Sequence, residues 1–323
     1  MNESHQHLIA FGPVPSRRLG RSLGINNIPP KSCSYSCLYC QVGPTEQREI
    51  QPRQFFSPEQ ITQAVKQQVQ AAQHAGEVID YLTFVPDGEP TLDCNLGKAM
   101  DLLRPLGIKI AVISNASMIW RKEIRDILHK ADWVSLKVDT VNEDIWRQVN
   151  QPHPELHLPQ ILQGIQDFAK SYTGVLTTES MLVAGYNDRP AAIKSLAEFL
   201  LTIQADISYL AVPTRPPAQG DVQVPGEERI VQAYELLNEK LNNVQYLIGY
   251  EGNSFANTGE PKRDLLAITA VHPMRQEAVK DFLARTNLDW DFIEELIRLG
   301  EIVKVKYAGQ YFYLRRPKQF DKK

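Results

Sequence analysis

The chain has 323 residues, with 35 Lys plus Arg against 38 Asp plus Glu (formal charge −3), 43% hydrophobic and 23% charged residues. This is ordinary for a globular protein of about two domains, and it excludes a uniformly basic nucleic-acid coat but not a local basic patch. No apolar run approaches the ~18–20 residues of a membrane span, and residues 1–11 are polar and His-bearing without an apolar secretory core, so no membrane partner and a cytoplasmic address are expected.

In chain order, residues 23–28 read as a short strand stopped by Pro29 and Pro30. After a cysteine-bearing loop, Ser57-Pro58-Glu59 opens a helix, with Ser as N-cap and Pro at the first helical position. Ile61, Ala64, Val65, Val69 and Ala72 recur at one-face spacing, and Gly76 closes the helix. Strands over 78–85, 108–113, 133–138, 174–183 and 207–212 alternate with helices over 95–105, 121–129, 158–170, 190–203 and 227–242. Each crossover is long enough to hold a helix, so the strands are expected to be parallel. Six βα units with near-continuous apolar strands fit an α/β sheet covered by helices on one face and closed, or nearly closed, on the other.

Beyond residue 243 the pattern changes. A further strand is expected at 245–250, a Gly/Asn/Pro-bearing linker at 251–262, helices near 263–271, 276–285 and 289–299, and a hairpin of 302–307 and 310–315. Three helices followed by a hairpin outline a small winged-helix-like domain, which divides the chain into units 1–250 and 251–323.

Of the four cysteines, Cys33, Cys37 and Cys40 fall within eight residues and Cys94 stands apart. A disulfide scaffold would scatter cysteines in pairs, whereas a tight triplet reads as a metal or cluster site. The spacing C-x3-C-x2-C lets three thiolates hold three irons of a cubane cluster and leaves the fourth iron open. The competing reading is structural zinc, which wants four ligands; Cys94 and a few distant histidines are its only candidates.

The stretch Lys31-Ser-Cys33-Ser-Tyr-Ser-Cys37-Leu-Tyr39-Cys40 resembles the signature of the radical S-adenosylmethionine (SAM) superfamily, with Tyr39 as the aromatic before the last cysteine. The similarity covers about residues 11–245. Phe11-Gly-Pro-Val-Pro-Ser-Arg-Arg-Leu-Gly and Gly88-Glu89-Pro90 are most similar to relatives of the wyosine tRNA-base synthases. The resemblance implies a partial (βα)6 TIM-like barrel and a [4Fe-4S] cluster on Cys33, Cys37 and Cys40. It also implies SAM bound through its amino and carboxylate groups to the open iron, and a one-electron reductant such as a flavodoxin or ferredoxin. Reductive cleavage of SAM would give methionine and a 5′-deoxyadenosyl radical that takes a hydrogen atom from a macromolecular substrate. The wyosine branch carries additional cysteines for a second cluster, which this chain lacks, so shared ancestry does not fix the substrate.

Further candidate site residues follow from the same resemblance or from their own chemistry. Gly88, Glu89 and Pro90 match the segment that meets the SAM amino group, with Asp87 in place of the family's first glycine; read alone, the segment is a plain strand-to-helix turn. Ser114 and Asn115 match residues that reach the SAM carboxylate or ribose. Asp139, after Lys137 at the end of the fourth strand, would accept ribose hydroxyls or else cap the following helix. Glu179 and Met181 lie on the fifth strand. Arg215, after the sixth, binds an anion or is a surface residue. Arg17, Arg18 and Arg21 would meet a phosphate or form a solvated lip at the amino end of the barrel. His153 and His157 have i,i+4 spacing, but Pro152, Pro154 and Pro159 point to a loop.

In the C-terminal unit the third helix carries Asp289, Asp291, Glu294 and Glu295 against Arg298, which disfavours DNA, while the hairpin region carries Lys304, Lys306, Arg315 and Arg316. Three readings stay open: a radical SAM enzyme acting on RNA, with a tRNA base as the closest analogy; the same chemistry on a peptide or protein held by the winged helix; and a non-catalytic metal-binding regulator.

Overall fold

The computed structural model describes residues 8–214, 216–217, 222–247, 261–271, 273–307 and 309–315. An antiparallel hairpin of β1 (Ala10–Ser16) and β2 (Gly20–Ile25) comes first. Six further strands follow, each parallel to the one before: β3 (Tyr81–Phe84), β4 (Lys109–Ser114), β5 (Trp133–Lys137), β6 (Val175–Met181), β7 (Ile207–Ala211) and β8 (Val244–Leu247). They form one sheet in sequential order. The crossovers carry α1 (Pro58–His74), α2 (Leu96–Leu103), α3 (Lys122–Leu128), α4 (Glu143–Val149), α5 (Leu158–Ala169), α6 (Pro190–Ile203) and α7 (Glu227–Asn238). The capping box expected at Ser57 is present: its hydroxyl takes the Gln60 amide, and the Gln60 side chain takes the Ser57 amide.

The six expected strands are β2 to β7, and the extra strand is β8. Two elements of the barrel, β1 and α4, were not expected, nor was the short strand Met274–Arg275 beyond it. β1 contains Pro13 and Pro15, which speak against a strand, but it lies at the sheet edge, where missing donors are tolerated, and its register shifts between Phe11 and Val14. α4 is two turns long, capped by the Asn142 side chain on the Ile145 amide. Its buried residues are few, Trp146 and Val149 among them, so it leaves little periodic signal.

Leu19, in the β1–β2 turn, is buried in one cluster with Ala111, Trp133, Tyr209 and Leu247. These come from β4, β5, β7 and β8, so the sheet curls into a partial barrel with the turn inside its amino end. The Arg17 guanidinium donates to the carbonyl of Leu247, the last residue of β8, at 3.0 Å. The opposite face of the strands packs on the helices through Leu82, Val112, Val134, Leu136 and Leu210.

The C-terminal segment has a core of its own. α8 (Pro261–Val271), β9 (Met274–Arg275), α9 (Gln276–Thr286), α10 (Asp291–Arg298), β10 (Ile302–Tyr307) and β11 (Gln310–Arg315) follow in order, with a three-stranded antiparallel sheet β10-β11-β9. Leu265, Ile268, Phe282, Ile293 and Tyr313 form its centre; Trp290 and Phe292 pack at the margin, as does Val14 of β1. The Tyr307 hydroxyl donates to the Pro213 carbonyl, just past β7, at 2.9 Å. Residues 251–260 of the expected linker lie outside the described residues. Among the described residues no helix is long and apolar enough to cross a membrane.

Candidate active site

The cysteine loop has little regular structure of its own and is held by its neighbours. Lys31, at φ +69°, donates its amide to the Asp87 carbonyl (2.8 Å), and the Ser32 carbonyl accepts from the Glu89 amide (2.9 Å). The other side is stitched to the end of α4: Ser36 and Leu38 amides donate to the Asn150 and Val149 carbonyls, and the Ser34 carbonyl accepts from the His153 amide. The Tyr35 hydroxyl accepts from the Trp146 indole at 3.2 Å.

This explains Gly88. A Cβ there would lie 2.2 Å from the Ser32 carbonyl oxygen and 2.9 Å from Ile28, so only glycine lets the turn after β3 lie against the loop. Asp87 is not among the residues with positive φ, so an aspartate is accommodated where the family has its first glycine. Gly88→Ala is expected to displace the loop, lowering bound iron per chain after reconstitution to well under half of the parent value and lowering thermal stability as well. Unchanged iron content would contradict this close approach.

Each thiol of the triplet has a hydrogen-bond donor. Cys33 receives the Asn115 side-chain amide (3.5 Å) and the Tyr35 backbone amide. Cys37 receives the Asn150 side-chain amide (3.5 Å), and Cys40 the Val42 backbone amide. Burial is the largest influence on all three. It pushes Cys33 far up and Cys37 up to about 12, with neighbouring thiols adding to both, and it raises Cys40 as well. Without a metal the thiols therefore keep their protons at neutral pH, and a metal must displace them.

Glu89, fully buried, joins β3 to β4. Its Oε1 accepts from the Thr91 amide (3.1 Å), the Thr91 hydroxyl (2.6 Å) and the Ser114 hydroxyl (2.8 Å), and its Oε2 accepts from the Asn115 amide (2.7 Å). Burial raises its pKa and these donors oppose the rise. Four donors occupy most of a carboxylate's acceptor capacity, leaving room at Oε2 for one more. Asn115 is bound in turn, through its side-chain amide, to Ser34 at 3.1 Å. Glu89, Ser114 and Asn115 thus form one connected group against Cys33.

Asp139 closes the other side. Its Oδ1 accepts the Met181 amide (2.8 Å); its Oδ2 accepts the Asn150 side chain (2.7 Å) and the Tyr39 hydroxyl. The alternative role as a helix cap is corrected, because Asn142 caps α4. The Lys137 ammonium lies 4.9 Å from the Tyr39 ring centroid and 2.8 Å from Glu179 Oε1. Arg18 binds the other oxygen of Glu179. Burial alone would raise the pKa of Glu179, but the charges of Lys137 and Arg18 overcome it and hold the carboxyl at about 2. Burial likewise works against the Lys137 charge, and Glu179 and Asp139 more than restore it. A cleft beside the triplet is lined by Tyr35, Tyr39, Asn115, Lys137, Asp139 and Asn150, among others.

Other expectations separate from this site. Arg18 is not a solvated lip: the turn that buries Leu19 carries its side chain into the barrel. Arg21 does stay at the amino end, on Glu77 and Asp80. His153 and His157 lie in a loop and at the start of α5. Cys94 is exposed. Arg215 and Arg316 lie outside the described residues. Asn150, which touches Cys37, Tyr39 and Asp139, was not foreseen, since nothing around it in sequence distinguishes it from an ordinary helix-end asparagine.

Residues 27–199 match the radical SAM superfamily. The chain belongs to that superfamily. Over 316 residues it is 45% identical to "UPF0026 protein MJ1312" of Methanocaldococcus jannaschii, covering 97% of this chain and 98% of that one. It is 22% identical over 209 residues to the "Probable dual-specificity RNA methyltransferase RlmN" of Gloeobacter violaceus, covering 63% and 56% of the two chains. Its fold is similar to a structure of TYW1 with a lysine-pyruvate adduct, with a TM-score of 0.53 and 17% identity over 68% of this chain and 74% of that one. As a radical SAM enzyme the protein uses a [4Fe-4S] cluster and SAM.

The residues present fit the cluster. Three mutually interacting thiols share one loop, each with a donor to sulfur, as cysteinyl ligands of iron–sulfur clusters have. A fourth protein ligand of the kind structural zinc wants is not supplied by Cys94, which is exposed and bonded through its amide to Arg53.

Proposed function

We propose that Cys33, Cys37 and Cys40 hold the cluster, and that SAM lies against Tyr39, Gly88–Pro90, Ser114–Asn115 and Asp139. The hydrogen atom is then taken from a macromolecular substrate, a base in RNA. The observation that supports the site is the three-thiol loop, with donors to every sulfur and a cleft beside it that holds Asn115, Lys137, Asp139 and Asn150. When bound, the cluster supplies the electron that splits SAM and so the radical. The chain's part is to hold these groups: Glu89 ties Ser114 and Asn115 beside Cys33, and Asp139 fixes Tyr39 and Asn150 beside Cys37.

RNA is favoured by the likeness to a protein named as an RNA methyltransferase and by the basic C-terminal hairpin. A flavodoxin or ferredoxin is the reductant we expect, in the cytoplasm. We read 1–250 as the barrel and 251–323 as a winged-helix-like module that presents the substrate. A peptide substrate is the second reading, favoured by the exposed Ile297 and Leu299 beside the carboxylates of α10.

Anaerobic reconstitution tests the reading. It is expected to give a brown, oxygen-sensitive protein with about four irons per chain that releases 5′-deoxyadenosine on reduction with SAM. Cys94→Ala should leave both unchanged, since Cys94 is exposed and donates its backbone amide to the Arg53 carbonyl outside the triplet. A colourless zinc protein inert to SAM would overturn it.

A further inference from the structure

The charge of the chain is strongly segregated. Residues 302–323 contain seven Lys or Arg and one Asp, a net +6, which leaves 28 Lys plus Arg against 37 Asp plus Glu, a net −9, in the first 301 residues. The described part of this basic segment is the β10–β11 hairpin, which contains no carboxylate and in which the lysines of one strand face tyrosines of the other.

The register puts both kinds of side chain on one face. Lys306 pairs across with Tyr311, and Lys304 with Tyr313. Lys304 and Lys306 are exposed, and Tyr311 is 42% exposed. The Lys304 ammonium stands 4.1 Å from the Tyr311 ring centroid and that of Lys306 5.9 Å from it. Among the described residues no carboxylate pairs with either lysine. Two cations flanking an open aromatic ring are what unpaired nucleic acid selects: phosphates take the ammonium groups and a base stacks on the ring.

The third helix offers the opposite. The exposed side chains of α10 include Asp291, Glu294 and Glu295, and its one arginine, Arg298, is paired with Glu295 at 2.6 Å. The hairpin is also well placed. Its tip is bound to the loop after β7 through Tyr307 and Pro213, and the charge of Arg315 at its other end acts on Asp87, beside the cysteine loop. Six-residue strands span about 20 Å, so the hairpin lies along the carboxyl end of the barrel, where loops line the site.

We infer that the Lys304–Lys306–Tyr311 face of the β10–β11 hairpin is the docking surface for an unpaired stretch of RNA. This rests on the RNA reading of the substrate and names the surface that would deliver it.

The test is binding of fluorescein-labelled oligouridine to the full-length reconstituted protein, by anisotropy across a KCl series. Oligouridine pre-annealed to oligoadenosine and poly-glutamate serve as competitors. The parent protein is expected to bind the single strand with a steep salt dependence and to prefer it over the duplex. K304Q/K306Q should reduce the slope of log affinity against log salt by about 1.4, at about 0.7 per lost single-strand phosphate contact. Y311A should weaken binding roughly tenfold with the slope unchanged, the signature of a lost stack. K122Q, on the remote α3 where Lys122 pairs with Asp126, should behave like the parent, and circular dichroism should show all four proteins equally folded. If the parent binds RNA and the hairpin variants bind it equally well, the docking surface is wrong while the RNA reading survives. If poly-glutamate displaces oligouridine as well as unlabelled oligouridine does, the face takes acidic protein and the inference falls. If the parent binds no RNA at low salt yet releases 5′-deoxyadenosine, the RNA reading itself fails and this surface with it.

Discussion

Cys37→Ala is expected to abolish the iron–sulfur chromophore and, with it, release of 5′-deoxyadenosine from SAM, a loss to background. Cys37 is the middle cysteine of the loop, and its sulfur is held by the Asn150 amide at 3.5 Å within a network running through Tyr39 and Asp139. Two thiols cannot hold a cubane firmly, and Cys94, the remaining cysteine, is exposed and bonded through its amide to Arg53. The variant should still fold, because Cys37 only packs against the margin of the main core. Iron per chain, the visible spectrum and deoxyadenosine yield are the measurements. A variant that kept the parent's iron and turnover would show that the loop is not the cluster ligand.

Glu179→Gln is expected to produce the largest loss of stability of any isosteric change in the barrel. The substitution keeps the volume and removes the charge that Lys137 and Arg18 share, leaving two largely, though not fully, buried cations facing an amide. Breaking a buried pair in this way costs about 3–5 kcal/mol. The sign of the pH dependence follows from the depressed pKa. Glu179 falls from an ordinary 4.5 to about 2 on folding, so it contributes stability above pH 4.5, and that contribution is lost as the pH falls towards 2. The drop corresponds to about 3 kcal/mol at neutral pH. Urea denaturation of parent and variant should therefore show a wide gap at pH 7 that narrows through this acid window. A gap that stays constant, or widens on acidification, would contradict the pairing.

The parts of the fold legible in the sequence were those with a periodic apolar signal. α1 announced itself through Ser57, Pro58 and its apolar stripe, and β3 to β7 through short runs bounded by helices. β1 was hidden because its two prolines argue against a strand everywhere except at an edge, and edge position is a property of the whole sheet. The cysteine triplet was legible because its spacing is local. Gly88 was legible as a motif, but its reason, the Ser32 carbonyl against it, is a contact between loops 56 residues apart. Arg18 and Asn150 were misplaced or missed for the same cause. Arg18 reaches Glu179 across 161 residues and Asn150 reaches Cys37 across 113, and neither partner can be named until the sheet curls and brings the strands around one space.

The Leu19 turn gives the barrel a floor made from the start of the chain. Leu19 is buried among residues of β4, β5, β7 and β8, and Arg17 reaches the last carbonyl of β8, 230 residues further on. The same turn carries in Arg18, whose charge helps to keep Glu179 ionised. The strands that come last in synthesis are thus braced by the segment that comes first, and the inner wall is finished only when both are in place.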